Sequence, residues 1–304
     1  MNAIAEVSSR PKARYEQLEL RFDVDYGVMW HFMNPVGRPV FNLQLLAELR
    51  EFHGELEERT GLAYENGAEH RVNYLVLGSK VPGIYNLGGD LGLFREAITR
   101  KDRDQLLSYG HRCIENVYPW SRNLDLPLTT ISLVEGDALG GGFECALSAS
   151  VLIAEESSRM GFPEVLFNLF PGMGAYSFLS RKIGRRLTEE LVTGGSIYTA
   201  RQLYDLGVVD VLAPDGAGEQ AVYSFIKKHS KAANGRRAIE AVRREVEPVT
   251  REELMRVVEI WADAALRLTE RDLRMMDRLV RAQSKNAEFE LVSTSNVTPL
   301  QRIA

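Results

Sequence analysis

The chain has 304 residues, 45% of them hydrophobic and 26% charged, which supports one large folded domain or two small ones and excludes a fibrous or disordered chain. A formal net charge of −5 leaves no general positive field for nucleic acid or an anionic membrane surface. Two cysteines, Cys113 and Cys145, supply neither a disulfide framework nor a metal cluster, and they suit a reducing, cytoplasmic setting.

Met1 to Arg14 carries scattered basic residues with no apolar run behind them, so it reads as a flexible segment and not as a secretory signal. No stretch of the sequence reaches the roughly 18 apolar residues of a membrane span. Alternation from Leu18 to Met33 around Asp25-Tyr26-Gly27 predicts two short strands joined by a turn. Leu43, Leu46, Leu49 and Phe52 predict a helix over Phe41 to Leu56, and Val72, Tyr74 and Val76 predict a strand over Arg71 to Leu77. Gly78 to Asp90 reads as a loop, Leu91 to Asn116 as largely helical, and Leu128 to Val134 as a buried strand. Short strands are expected at Ser157 to Gly161 and Gly207 to Leu212, and the alternation of strand and helix makes the chain an α/β protein.

The last third is helical. Thr250 and Glu253 form a capping-box signature ahead of Leu254, Val257, Val258, Trp261 and Ala265, and a second helix from Thr269 carries Leu273, Met276 and Val280. These stripes read as core or subunit contacts. The basic stretch Arg181 to Arg186 reads as a solvated helix face.

The chemistry concentrates in four short segments: Gly88-Gly89-Asp90, Leu139-Gly140-Gly141-Gly142-Phe143-Glu144, Phe162-Pro163-Glu164 and Pro171-Gly172. Each has a structural reading by itself. A glycine pair before Asp is a turn with a helix cap, and a carboxylate at a helix start answers the helix dipole. The functional reading comes from the setting. Bare backbone N–H groups at helix starts can approach an anionic oxygen, and carboxyls flanked by Phe143, Cys145, Phe162 and Val165 should have raised pKa values, split into one acid and one base.

In order and separation these segments resemble the signatures of the crotonase (enoyl-CoA hydratase) superfamily, GGG-x-E followed by a glutamate ahead of a Pro-Gly turn. The resemblance runs from about Tyr15 to the last helices. It implies a spiral of repeated ββα units over 15–215 and a helical, trimer-forming part over 216–304, with 1–14 outside both. It implies Glu144 and Glu164 as the acid/base pair, the N–H groups of Gly89 and Gly141 as the oxyanion hole, and Gly88, Leu87, Leu139, Gly140, Phe170, Gly172 and Met173 against the substrate.

Leu87 is bulky for a position that usually holds a small residue, and Met173 to Phe178 is unusually apolar. With Val81 to Leu91 and Glu135 to Leu147, these features resemble the diffusible-signal-factor synthases. That branch implies dehydration of a 3-hydroxyacyl group on acyl carrier protein, hydrolysis of the thioester and release of a cis-2-unsaturated fatty acid used as a bacterial quorum signal. An enoyl-CoA hydratase, or a crotonase-fold regulatory protein that docks a sensor-kinase receiver domain, are the alternatives. The resemblance implies a homotrimer or a dimer of trimers and no cofactor. The five histidines lack ligand spacing, so no metal is expected; Cys145 reads as a small buried residue; Trp30, Trp120 and Trp261 read as core or interface aromatics. The acyl chain is expected between Val165 to Phe170 and Met173 to Phe178.

Overall fold

The computed structural model describes residues 14–284, so the segments 1–13 and 285–304 lie outside the description. The chain begins with the antiparallel hairpin β1 (Leu18–Asp23) and β2 (Val28–Met33), then α1 (Leu43–Glu58), β3 (Leu62–Glu65), β4 (Ala68–Arg71), β5 (Tyr74–Ser79) and β6 (Ile84–Asn86). Next come α2 (Leu91–Thr99), α3 (Arg103–Ser121), β7 (Thr129–Val134), β8 (Asp137–Leu139), α4 (Gly141–Ser148), β9 (Val151–Glu155), β10 (Arg159–Gly161) and a 3-10 turn at Pro163–Phe167. The remainder is α5 (Ala175–Ile183), α6 (Arg185–Gly194), β11 (Ile197–Thr199), α7 (Ala200–Asp205), β12 (Val211–Ala213), α8 (Gly218–Ser230), α9 (Ala233–Val246), α10 (Arg251–Ala265) and α11 (Glu270–Ser284).

Two main sheets share the strands of the core turn by turn, while β3 and β4 form a separate two-stranded sheet. The larger runs β1-β2-β5-β7-β9-β12 and is parallel from β2 onward; the smaller runs β11-β10-β8-β6. Each successive pair, β5-β6, β7-β8 and β9-β10, gives its first strand to the large sheet and its second to the small one before the chain turns helical. This is a spiral of ββα units. Parallel strands covered on both faces need apolar residues at nearly every position, and β7 and β9 are buried throughout. Val28, Trp30 and Phe32 face Val222, Phe225 and Ile226 of α8, while Met29 and Met33 join the main core under α1, α3 and α4.

The first hairpin and α1 form where the sequence predicts them, with Asn42 capping α1 through Leu45 N–H (2.9 Å). Three local departures have clear causes. Residues 62–71 form the β3-β4 hairpin around Asn66-Gly67, both at positive φ, so the predicted strand starts three residues later, at Tyr74. The glycine loop contains β6, a strand made by parallel pairing with β8. At α10, Thr250 caps Glu253 N–H (3.1 Å), but the Glu253 carboxylate leaves the capping box to pair with Arg181 (2.8 Å). That pair half-buries Arg181, in a stretch that reads from sequence as solvated. In α11, Leu273 and Met276 are buried as predicted; the side chain of Val280 lies outside the description.

Candidate active site

β6 and β8 lie side by side, so the loops that leave their C-terminal ends also meet. Gly88, at φ 93°, donates its N–H to Asn86 Oδ1 (2.8 Å), and a Cβ there would lie 2.8 Å from Leu139 O and 2.9 Å from Gly141 N. A Cβ on Gly141 would lie 3.4 Å from Gly89 N. Only glycine permits that approach, and it brings the amides of Gly89 and Gly141 together. Gly141 is the first residue of α4, so its N–H has no acceptor within the helix.

The first loop is fixed from behind. Phe41 N–H donates to Gly88 O (2.8 Å), and the Tyr109 hydroxyl donates to Phe41 O (2.7 Å) while accepting Asp90 N–H (3.4 Å). Asp90 caps α2 through Gly92 (3.0 Å) and Leu93 (3.2 Å) and pairs with Arg38 (2.7 Å). Leu87 packs in a small cluster with Val40 and Leu139, so its bulk fills the space between the two loops.

Glu144 sits in the first turn of α4, but its side chain does more than answer that helix. Oε1 accepts the N–H groups of Met173 (2.7 Å) and Ala175 (3.0 Å), tying α4 to the segment after Pro171-Gly172. Burial pushes its pKa from 4.5 up to about 7, against the opposing pull of those two bonds. Glu164, in the 3-10 turn, has Oε2 buried with no hydrogen-bond partner in the protein. Burial, with the Glu144 charge adding to it, raises its pKa to about 8. A methyl at Gly140 would collide with Glu164 Oε1, which places that carboxyl against the second glycine loop.

Both carboxyls and both loops border one cavity of about 90 Å³ with an overwhelmingly apolar lining. Of the residues expected to touch substrate, Leu87, Leu139, Gly140, Phe170, Gly172 and Met173 line it; Gly88 stands behind it, packed on Leu139 and Gly141. The expected apolar walls are only partly those observed. Phe167, Leu169, Phe170 and Met173 contribute, but Leu166 is exposed and Tyr176 and Phe178 lie away from the lining. Much of the remaining wall comes from α1 and α3, with Leu46, Leu49, Tyr109, Cys113, Val117 and Trp120, and further residues come from β5, α2, α10 and α11. Sequence reading missed these because a lining stripe and a core stripe share one spacing.

Two of the tryptophans read as structural also reach the site. Trp261 packs on Gly172, where a Cβ would lie 2.5 Å from its ring, and meets Phe94 edge-on with centroids 5.0 Å apart. Trp120 lines the far part of the cavity. Cys145 is buried, with its thiol near the Tyr85 hydroxyl and its pKa pushed up to about 12, as suits an inert side chain.

Proteins of known description are similar to this chain, some in sequence and some in fold. The enzyme described as enoyl-CoA isomerase/hydratase fer4 of Mycosarcoma maydis is 42% identical over 90 residues, 29% of this chain and 33% of that protein. A probable mitochondrial enoyl-CoA hydratase 2 of Arabidopsis thaliana is 28% identical over 190 residues, 62% of this chain and 57% of that one. Across the first curated relatives the match spans between 22% and 57% of their length. Among solved structures, human mitochondrial delta3-delta2-enoyl-CoA isomerase superposes with TM-score 0.71 at 16% identity, over 90% of this chain and all of that one. Pseudomonas aeruginosa DspI superposes with TM-score 0.65 at 20% identity, over 79% and 92%. The model of the enoyl-CoA hydratase/isomerase family matches residues 58–276, a range that contains both glycine loops, both glutamates and most of the cavity wall, so the chain belongs to that family, within the crotonase superfamily.

Proposed function

We propose that this protein dehydrates a 3-hydroxyacyl thioester, carried on acyl carrier protein or coenzyme A, and then hydrolyses it to release a cis-2-unsaturated fatty acid that serves as a quorum signal. The observation that carries this reading is the placement of two buried carboxyls, both with raised pKa values, in one apolar cavity beside two apposed glycine amides. An apolar cavity suits an acyl chain, which gains about 0.8 kcal/mol per buried CH₂.

In the proposed chemistry the Gly89 and Gly141 amides polarise the thioester carbonyl, each contributing about 3 kcal/mol to the developing oxyanion. Glu164 removes the C2 proton, the C3–O bond breaks, and Glu144 gives its proton to the departing hydroxyl, which leaves as water. The pair then holds its proton on Glu164. Ionised Glu144 draws a proton from a second water as its oxygen bonds to the carbonyl carbon; the C–S bond breaks, and Glu164 returns its proton to the thiolate. The starting state is restored without a nucleophilic Ser or Cys. We also assign to this reading a cytoplasmic homotrimer or dimer of trimers and a sensor-kinase receiver domain as regulatory partner.

A second reading has its own support. Two N–H groups on Glu144 favour its ionised form, while Glu164 Oε2 has no protein donor, so the resting proton belongs on Glu164, and the dehydration above starts from the less populated arrangement with the proton on Glu144. That distribution suits activation of water by Glu144, as in hydration of an enoyl-CoA or in the hydrolysis step above. Product analysis separates the readings. Incubation with 3-hydroxyacyl thioesters on both carriers, followed by mass spectrometry, should detect free cis-2-enoic acid; interconversion of 3-hydroxyacyl and trans-2-enoyl-CoA without free acid identifies a hydratase instead.

A further inference from the structure

The cavity is apolar along its length but not at its far end. Tyr109, beside the first glycine loop, and Trp120 both line it from α3, and at 1.5 Å per residue they stand about 16 Å apart along the helix. At the Trp120 end, three cavity-lining side chains that are at least nine-tenths buried each leave one polar atom with no protein partner: His53 Nδ1, Asn116 Oδ1 and Trp120 Nε1. His31 packs directly behind them, its ring centroid 5.2 Å from that of His53 and 5.3 Å from that of Trp120. Asn116 and Trp120 are one helical turn apart on the same face of α3, and His53 stacks on Trp120 with ring centroids 5.5 Å apart and planes at 13°.

The chemistry of these atoms is definite. Trp120 Nε1 can only donate. Asn116 spends its amide N–H groups on Leu46 O (3.0 Å) and Arg112 O (3.0 Å), which fixes Oδ1 as the acceptor. His53 Nε2 meets His31 Nε2 at 3.2 Å, a contact that requires one ring to donate and the other to accept, and burial keeps both rings neutral. Buried polar atoms in folded proteins are almost always satisfied, by protein or by a bound polar group. A site with a fixed donor, a fixed acceptor and no charge fits a group that both donates and accepts; it would leave a carboxylate facing Asn116 Oδ1.

We propose that this end of the cavity is a subsite for a neutral hydroxyl group, either carried on the far end of the acyl chain or supplied by a fixed water that marks where a plain chain must stop. This assignment rests on the reading of the cavity as an acyl site.

The test is calorimetric titration of the intact protein with two series of free fatty acids matched in length, one plain and one with a terminal hydroxyl. Trp120→Phe, and separately His53→Phe, remove single polar atoms while keeping an aromatic ring. If the chain carries the hydroxyl, at one length the hydroxy acid should bind about tenfold tighter than the plain acid, and Trp120→Phe should reduce that preference to about twofold. If water supplies it, plain acids should bind best up to a sharp length limit, and Trp120→Phe should admit longer ones. The proposal is overturned if hydroxylated acids bind worse at every length and neither variant changes preference or length limit. Absence of binding by every acid to the folded protein contradicts the acyl-site reading itself.

Discussion

Glu164 Oε1 lies so close to the Cα of Gly140 that a single added methyl group would displace the carboxyl. Gly140 also holds φ 52° and ψ −123°, a conformation that side-chain-bearing residues resist. Gly140→Ala should therefore move Glu164 relative to the glycine amides. A fall in kcat/KM of about 10²-fold, with a smaller loss in Tm, is expected from steady-state kinetics and thermal melts. Unchanged kinetics would mean that the Glu164 position is not critical.

The carboxyl pair also sets the pH response. Glu144 and Glu164 ionise at about 7 and about 8, and the chemistry needs one proton shared between them. The rate should rise as the first proton leaves and fall as the second does, giving a bell centred between those values. Glu144→Gln should abolish one limb. A flat profile from pH 6 to 9 would contradict shared protonation.

Stability should respond to the same groups with a definite sign. Each carboxyl ionises near 4.5 in an unfolded chain but keeps its proton to about 7 or 8 when folded. Between those limits the folded state binds more protons, so stability is fully present below about pH 4.5 and declines as pH rises through 8. Glu164→Gln removes the cost of a buried charge and should raise Tm by about 2 °C or more at pH 8, with no gain at pH 4.5. A Tm lowered at pH 8 would show that ionised Glu164 is stabilised by its surroundings.

Leu49 and Val117 border the cavity from two different helices. Leu49→Phe and Val117→Phe should shorten it and shift the preferred acyl chain by one or more CH₂ units, each worth about 0.8 kcal/mol of binding, at a cost of about 1–3 kcal/mol in stability from overpacking. A length series of thioester substrates reads the shift directly. An unchanged preference would place the acyl chain elsewhere.

What the sequence reveals and conceals follows from range. The first hairpin, α1 and the α10 stripe rest on local alternation or helical spacing, and so they are legible. β6 is three residues long between Gly83 and Gly88, and it becomes a strand only through its pairing with β8, some 50 residues away. The glycine and glutamate segments are legible as motifs because their chemistry is written in residue type. The α1 and α3 side of the cavity is not, since Leu49, Tyr109 and Trp120 occupy ordinary core positions until the fold brings them opposite Glu144 and Glu164. His31 and His53, 22 residues apart, gave no sign of their contact.

The most direct test of the two-carboxyl account is the rate of C2 proton exchange and of free-acid release by Glu164→Gln and Glu144→Gln, measured on a 3-hydroxyacyl-ACP and on a preformed cis-2-enoyl-ACP. Gln keeps the shape of each side chain and removes its proton transfer. The account predicts that both variants stay folded, that Glu164→Gln loses C2 exchange by about 10²-fold or more, and that both lose acid release by a similar factor. Wild-type rates of exchange and release in both variants would contradict it.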